Sequence, residues 1–177
     1  MALAECVIEM WGLNGNDGGD PRELMAGLEA ARSELRAAIA GLTPAQMDSG
    51  HVLPGYTVKD LLGIIAAWDH EALAALEAFG HGDANYRVQI DDVADWNAQV
   101  RDRRRPLAAL QVQMDCFMVR GEIVSLLTLM PPHLFDQEIE YPWGERGTVR
   151  HLIEAYAVAN DRDNAAAIRE WRAREGL

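Results

Sequence analysis

Basic side chains are in short supply in this chain. Lys and Arg number 16 against 28 Asp and Glu, giving a formal charge of −12 at pH 7. That balance argues against binding to nucleic acid phosphates or to an anionic membrane surface, since both require a basic face. Cysteine is scarcer: Cys6 and Cys116 lie far apart in sequence with no CxxC. The economical reading is two reduced thiols, Cys116 being packed in a helix. No apolar run approaches the roughly 20 residues of a membrane helix. The first residues, Met-Ala-Leu-Ala-Glu-Cys-Val-Ile-Glu-Met-Trp, carry two acids and no basic leader. They do not read as a signal peptide, so a cytoplasmic location is expected. There is no GxSxG, P-loop or GxGxxG, and Ser33, Ser49 and Ser125 lack an activating context. Strand signals are nearly absent, apart from short pieces near Val88-Gln-Ile and Glu138-Ile-Glu-Tyr141.

What remains is helical periodicity. With 177 residues and 49% apolar content the chain suits one domain with a proper core. Leu24, Leu28, Ala31, Leu35 and Ile39 form one stripe, opened by Pro21 after Asp20. Thr43-Pro-Ala-Gln46 is a capping-box pattern. A second helix is expected from Thr57 to about Phe79, with Asp60 completing its cap and Gly80-His-Gly-Asp ending it. A third, from Asp91 to Met130, is interrupted at Pro106, and Pro131-Pro132 closes it. The fourth runs from Thr148 to about Arg174. These predict an all-α four-helix bundle over residues 21–175, preceded by an extension (residues 1–20) that is flexible or a short helix over Leu3 to Leu13. Tyr56-Thr-Val-Lys-Asp-Leu-Leu echoes Gly147-Thr-Val-Arg-His-Leu-Ile. One capping solution used twice is preferred there over a duplicated hairpin.

The apolar stripe of the fourth helix runs Val149, Ile153, Tyr156, Asn160, Asn164, Ala167, Trp171. Two amides therefore face inward where packing alone would place Leu or Ala. A buried amide without a partner costs about 1–3 kcal/mol, so Asn160 and Asn164 mark a polar pocket or the remains of one. Trp68, Trp96, Trp143 and Tyr156 are the rings that could line it, although aromatics at helical spacing are usually core. Asp69 and His70 with Asp161 form an alternative polar site; the plainer reading makes Asp69-His70-Glu71 a solvated face. The cluster Arg101, Arg103, Arg104 and Arg105 reads more simply as a solvated helix end than as an anion site. No pair of carboxylates stands out for acid–base work.

The chain resembles the DinB-like (DinB/YfiT) superfamily of four-helix bundles. The resemblance covers about Pro21 to Trp171. It rests on Leu42-Thr-Pro-Ala-Gln-Met leading to Pro54-Gly-Tyr-Thr-Val-Lys-Asp-Leu-Leu, on Ala66-Ala-Trp-Asp, on Asp95-Trp-Asn97, and on Asp161-Arg-Asp-Asn-Ala-Ala-Ala-Ile-Arg169. It implies a bundle that is not a simple up-and-down meander. Many members bind nickel or zinc with one histidine from the second helix and two, at i and i+4, from the last. Thiol-dependent relatives use bacillithiol or mycothiol, and some branches, such as the colibactin self-resistance type, lack the ligands. Here the three positions match Ile64, Asn160 and Asn164. Ile cannot ligate and a neutral amide suits nickel or zinc poorly, so no cofactor is expected.

Three functions follow as expectations. One is a metal-independent small-molecule-binding protein with a pocket around Ile64, Trp68, Tyr156, Asn160 and Asn164. Another is a metal- or thiol-dependent transferase or hydrolase using altered ligands. The third is a homodimeric interaction module. A small molecule and a second copy are thus the expected partners, with neither nucleic acid nor membrane.

Overall fold

The computed structural model describes residues 20–85 and 90–177. In chain order the elements are α1 (Pro21–Ile39), α2 (Pro44–Ser49), β1 (His51–Leu53), β2 (Tyr56–Thr57) and α3 (Val58–Gly80). Next come α4 (Val93–Arg104), α5 (Ala109–Leu129), a 3-10 turn (Pro132–Leu134), β3 (Glu138–Glu140) and β4 (Arg146–Thr148). Last is one helix in three parts: α6 (Val149–Leu152), a π-helical segment (Ile153–Ala159) and α7 (Asn160–Glu175). The bundle consists of α1, α3, α5 and this composite helix. α3 packs along α5, while α1 packs along α7 and the π segment. The first and last helices are therefore neighbours.

The first three helices begin where their capping chemistry says they should. Asp20 accepts the amide of Arg22 at 2.9 Å, with Pro21 at the first helical position. Thr43 with Gln46, and Thr57 with Asp60, close complete capping boxes. Pro106 does more than kink the third helix. It separates α4 from α5, and the buried Lys59 ammonium fastens the connection by donating to the carbonyls of Arg105 and Leu107 at 3.1 and 3.3 Å. Leu28, Leu35, Leu62, Val112, Ile123, Val149 and Ile168 are all sealed from solvent in one core. Among the described residues no helix is long and apolar enough to cross a membrane.

Two short antiparallel hairpins add to the helices. β3 pairs with β4 from Glu138↔Thr148 to Glu140↔Arg146, as the strand signal at 138–141 suggested. A Cβ on Gly147 would lie 2.1 Å from the Tyr141 hydroxyl, so only glycine fits there. The β1–β2 hairpin, three and two residues long, is too short for periodicity to reveal. It explains the internal echo: Thr57 and Thr148 each end a hairpin strand and cap the helix that follows. The Leu3–Leu13 segment, Cys6 and most of the Val88-Gln-Ile signal lie outside the described residues.

Candidate functional site

The middle of the bundle holds a buried charged quartet, one residue from each of its four helices. Arg32 comes from α1, Asp69 from α3, Arg120 from α5 and Asp161 from α7. Arg120 donates Nη2 to Asp69 Oδ1 at 2.6 Å and Nε to Oδ2 at 3.0 Å. Its Nη1 reaches Asp161 Oδ2 and the Ala157 carbonyl, both at 3.3 Å. Arg32 donates Nη2 to Asp69 Oδ2 at 3.1 Å, and Nη1 to the Cys116 carbonyl and Sγ at 3.2 and 3.0 Å. Two cations face two anions, which is what a charge needs in order to stay buried.

The pairing is not complete. Arg32 Nε lies 2.9 Å from Asp161 Oδ2, yet its N–H is not aligned on that oxygen, and Asp161 Oδ1 accepts no hydrogen bond. Burial pushes the Asp161 carboxyl up to about 6, against the opposing pull of Arg120 and Arg32. Burial likewise pushes the Cys116 thiol up to about 12. A sealed neutral thiol is no nucleophile at neutral pH. The Asp161 carboxyl is wholly inaccessible, so it cannot meet a substrate. The quartet joins all four helices of the bundle through buried ion pairs.

The Ala157 carbonyl that receives Arg120 lies in the π segment, Ile153–Ala159. Such segments are rare and recur near functional sites. This one also carries Tyr156, the first ring of an aromatic wall between α3 and the last helix. Tyr156 and Trp143 have centroids 3.8 Å apart, Trp143 and Trp68 5.5 Å, and Trp68 and Trp96 4.2 Å. Tyr141 backs them 5.2 Å from Trp143. The Trp68 indole N–H is fixed on Asn97 Oδ1 at 2.9 Å. Beneath the wall lies a cavity of about 10 Å³, on the scale of one water, bounded by Trp68, Asp69, Ile123, Trp143, Ile153 and Tyr156. An open groove of about 230 Å³ lies elsewhere, where Asp20, Glu23, Arg150 and Glu154 meet around Gly27; it holds none of the residues singled out by the sequence.

The residues expected at the pocket are only partly brought together. Trp68 and Tyr156 share the cavity. Ile64 packs beside it with Ala67 and Val100, against Trp68 and Trp96. Asn160 and Asn164 do not line it. Asn164 Nδ2 donates to Asn160 O at 2.8 Å and to Asn160 Oδ1 at 2.7 Å, so the two amides close on each other. Of the alternative polar site, Asp69 and Asp161 meet through the two arginines, whereas His70 turns outward to Asp115 at 2.9 Å. Asp69 is 3% exposed, which corrects the reading of Asp69-His70-Glu71 as a solvated face. The arginine cluster does end a helix at the surface, with Arg101 stacked over Tyr56 at 5.3 Å. Sequence reasoning grouped Asp69 with Asp161 but missed Arg32 and Arg120, the cations that join them. The signal was available: all four charges interrupt apolar stripes, one per helix, and sum to zero.

This topology and core define a helical bundle of the DinB/YfiT type. Residues 28–122 match the family model for the mycothiol maleylpyruvate isomerase N-terminal domain, and the chain belongs to that family. Several solved structures share the fold. YfiT from Bacillus subtilis, described as a probable metal-dependent hydrolase with an unusual four-helix bundle topology, is 16% identical. The match covers 100% of this chain and 99% of that one, with a TM-score of 0.76. A Streptococcus pneumoniae protein is 14% identical over 92% of this chain and 94% of its own, with a TM-score of 0.73. The colibactin self-resistance protein ClbS, solved in complex with a double-stranded DNA, is 11% identical over 86% and 94%, also at 0.73. No curated protein sequence matches.

The family's metal can be tested against these residues. Ile64 presents only alkyl carbon, and the Asn164 amide donates to Asn160. Among the described residues no three His, Cys, Asp or Glu side chains are grouped to hold an ion. The donors present at the three positions do not fit nickel or zinc.

Proposed function

We propose that this chain is a metal-independent small-molecule-binding domain whose ligand rests on the aromatic wall of Trp68, Trp143 and Tyr156. The observation that carries this reading is a substitution of chemistry at one place. At the three positions that the family resemblance matches to metal ligands, this chain has an apolar Ile64 and a closed amide pair. Beside them stand half-buried rings in mutual contact over an apolar cavity. Apolar walls with a few fixed polar groups are the usual makeup of a small-molecule site. A metal-dependent transferase or hydrolase would need ligands other than Ile64, Asn160 and Asn164. The reading is tested by titrating apolar and aromatic compounds against intrinsic tryptophan emission and melting temperature, in chelator. Saturable shifts in both are expected; a broad panel that moves neither overturns it.

A second reading, self-association, is favoured by the outer face of α5. Leu110, Met114 and Met118 lie on one stripe and are 53%, 62% and 61% exposed. Gly121 continues it with open space beyond its Cα and no left-handed φ. Among the described residues nothing demands glycine there, and mid-helix it costs about 0.5–1 kcal/mol relative to alanine. A bare backbone admits a closely packed second helix. Leu110, Met114 and Met118 are uncharged on a chain of −12, with Glu122 at the next step of the same spacing, and this apolar part of the face suits a second copy better than a charged surface would. Sedimentation velocity decides it: a concentration-dependent dimer is expected, and a monomer at all concentrations overturns it.

A further inference from the structure

Trp143 is held differently from the other rings of the wall. Trp68 stands on α3, anchored to Asn97, and Tyr156 stands on the π segment of the last helix. Trp143 stands on the turn between β3 and β4, and its indole N–H is donated to Glu145 Oε2 at 3.0 Å, within that same turn. The turn also closes on itself: Tyr141 N donates to Glu145 O at 2.7 Å and Gly144 N to Tyr141 O at 2.9 Å, with Gly144 at φ 92°. Ring, acceptor and left-handed glycine therefore form one local unit, while the rings on either side belong to the bundle. Seated between Tyr156 and Trp68, the Trp143 indole fills the slot down to the remaining 10 Å³ or so.

Resting on the proposal that this wall binds a ligand, we infer that Trp143 is a resident plug. The site then takes a neutral, planar aromatic molecule of about indole size in the plug's place as the tip of the turn, Trp143 to Glu145, swings out while Tyr141 stays seated in the core. The shape of the seat is that of the ring now in it, offered in tilted and edge-on contacts that aromatic pairs prefer. Its neutrality follows from the walls. They are rings and alkyl groups such as Ala72, Ile123 and Ile153, and the one carboxylate, Asp69, has both oxygens held by Arg32 and Arg120. Glu145, which accepts the plug's own indole N–H, leaves with the turn, so no bare charge is left in the opened seat to hold a cation. A ligand must compete with the tethered indole, so its apparent affinity falls with the fraction of molecules whose turn is open.

The test measures indole binding to the wild type and to Trp143→Ala by calorimetry, with benzyltrimethylammonium as the cationic counterpart. The inference expects Trp143→Ala to bind indole at least about tenfold more tightly than the wild type does. It also expects indole to be preferred over the cation by a similar factor. Equal affinity of wild type and variant for indole overturns the plug but leaves the binding reading standing. Equal binding of the cation overturns the neutral class, again without touching the reading. A variant that binds neither probe overturns the seat, and the reading falls with it only if the broad panel also leaves the wild type unmoved. Should Trp143→Ala not fold, wild type labelled with 5-fluorotryptophan serves instead. Added indole should then move the Trp143 fluorine signal toward its solvent-exposed position, and an unmoved signal at saturation overturns the plug.

Discussion

Arg120 grips Asp69 through two nitrogens, Nη2 to Oδ1 at 2.6 Å and Nε to Oδ2 at 3.0 Å, and so ties α5 to α3 in the sealed middle of the bundle. Bidentate geometry of this kind is the strongest form of a charged hydrogen bond. Breaking it leaves two guanidiniums sharing one carboxylate. Asp69→Asn is therefore expected to destabilise the fold by about 3–5 kcal/mol, read as a lower urea midpoint at unchanged slope. Replacing all four charges with Met and Leu of similar volume should be neutral or stabilising. A single-site loss below about 1 kcal/mol would mean that the pair is solvated rather than buried.

Asp161 gives the fold a dependence on pH with a definite sign. Unfolded, its carboxyl titrates near 3.8; folded, burial raises it to about 6 despite Arg120 and Arg32. Between those values the folded state holds the extra proton. The stability from this group is complete below about pH 4 and is lost as pH rises through about 6. Groups facing it are Arg32 on α1, Asp69 on α3, and Arg120 and Cys116 on α5. In Asp161→Asn this titration is absent. The difference in unfolding free energy between wild type and variant should then change across that window and be flat on either side. A difference independent of pH from 4 to 7 would contradict the raised carboxyl.

Gly121 separates the needs of the helix from those of a partner. Gly121→Ala should stabilise the isolated subunit by about 0.5–1 kcal/mol through helix propensity. It should also weaken self-association, since a methyl group is placed in the contact. Met114→Glu should abolish the dimer without changing the far-ultraviolet spectrum. If both variants sediment as the wild type does, α5 is not the interface.

Introducing imidazoles tests whether the three positions that the family resemblance matches to metal ligands converge. Ile64→His, Asn160→His and Asn164→His together should allow the protein to retain nickel or zinc through desalting, with a higher melting temperature when loaded. A triple variant that folds yet retains no ion would show that these positions do not converge.

Much of the fold was legible because it rests on local rules. Pro21, Thr43, Thr57 and Thr148 announce helix starts by capping chemistry that acts within a few residues, and α1, α3 and α7 end within about one residue of where periodicity put them. The π segment was not legible, since no residue in Ile-Glu-Ala-Tyr-Ala-Val-Ala excludes an α-helix; tertiary demands, among them the Ala157 carbonyl turned to Arg120, accompany it.

The site was read in part. Trp68 and Tyr156 border one cavity, and each lies on the inner stripe of its helix. Spacing puts Asn160 and Asn164 on one side of the helix but cannot say whether they face a cavity or each other; Asn164 is buried and Asn160 half-buried. Asp69 was misjudged because the neighbouring His70 and Glu71 suggested a solvated run. Its burial depends on Arg32 and Arg120, 37 and 51 residues away in sequence. Long-range charge pairing leaves no periodic trace on any single helix.

One measurement addresses the proposed metal independence most directly: the metal content of untagged wild-type protein, by mass spectrometry, after loading with nickel and zinc and desalting. Ile64 and the mutually bonded Asn160 and Asn164 predict a content far below one ion per chain. A near-stoichiometric ion surviving desalting would contradict that reading, and would mean that donors other than these three hold it.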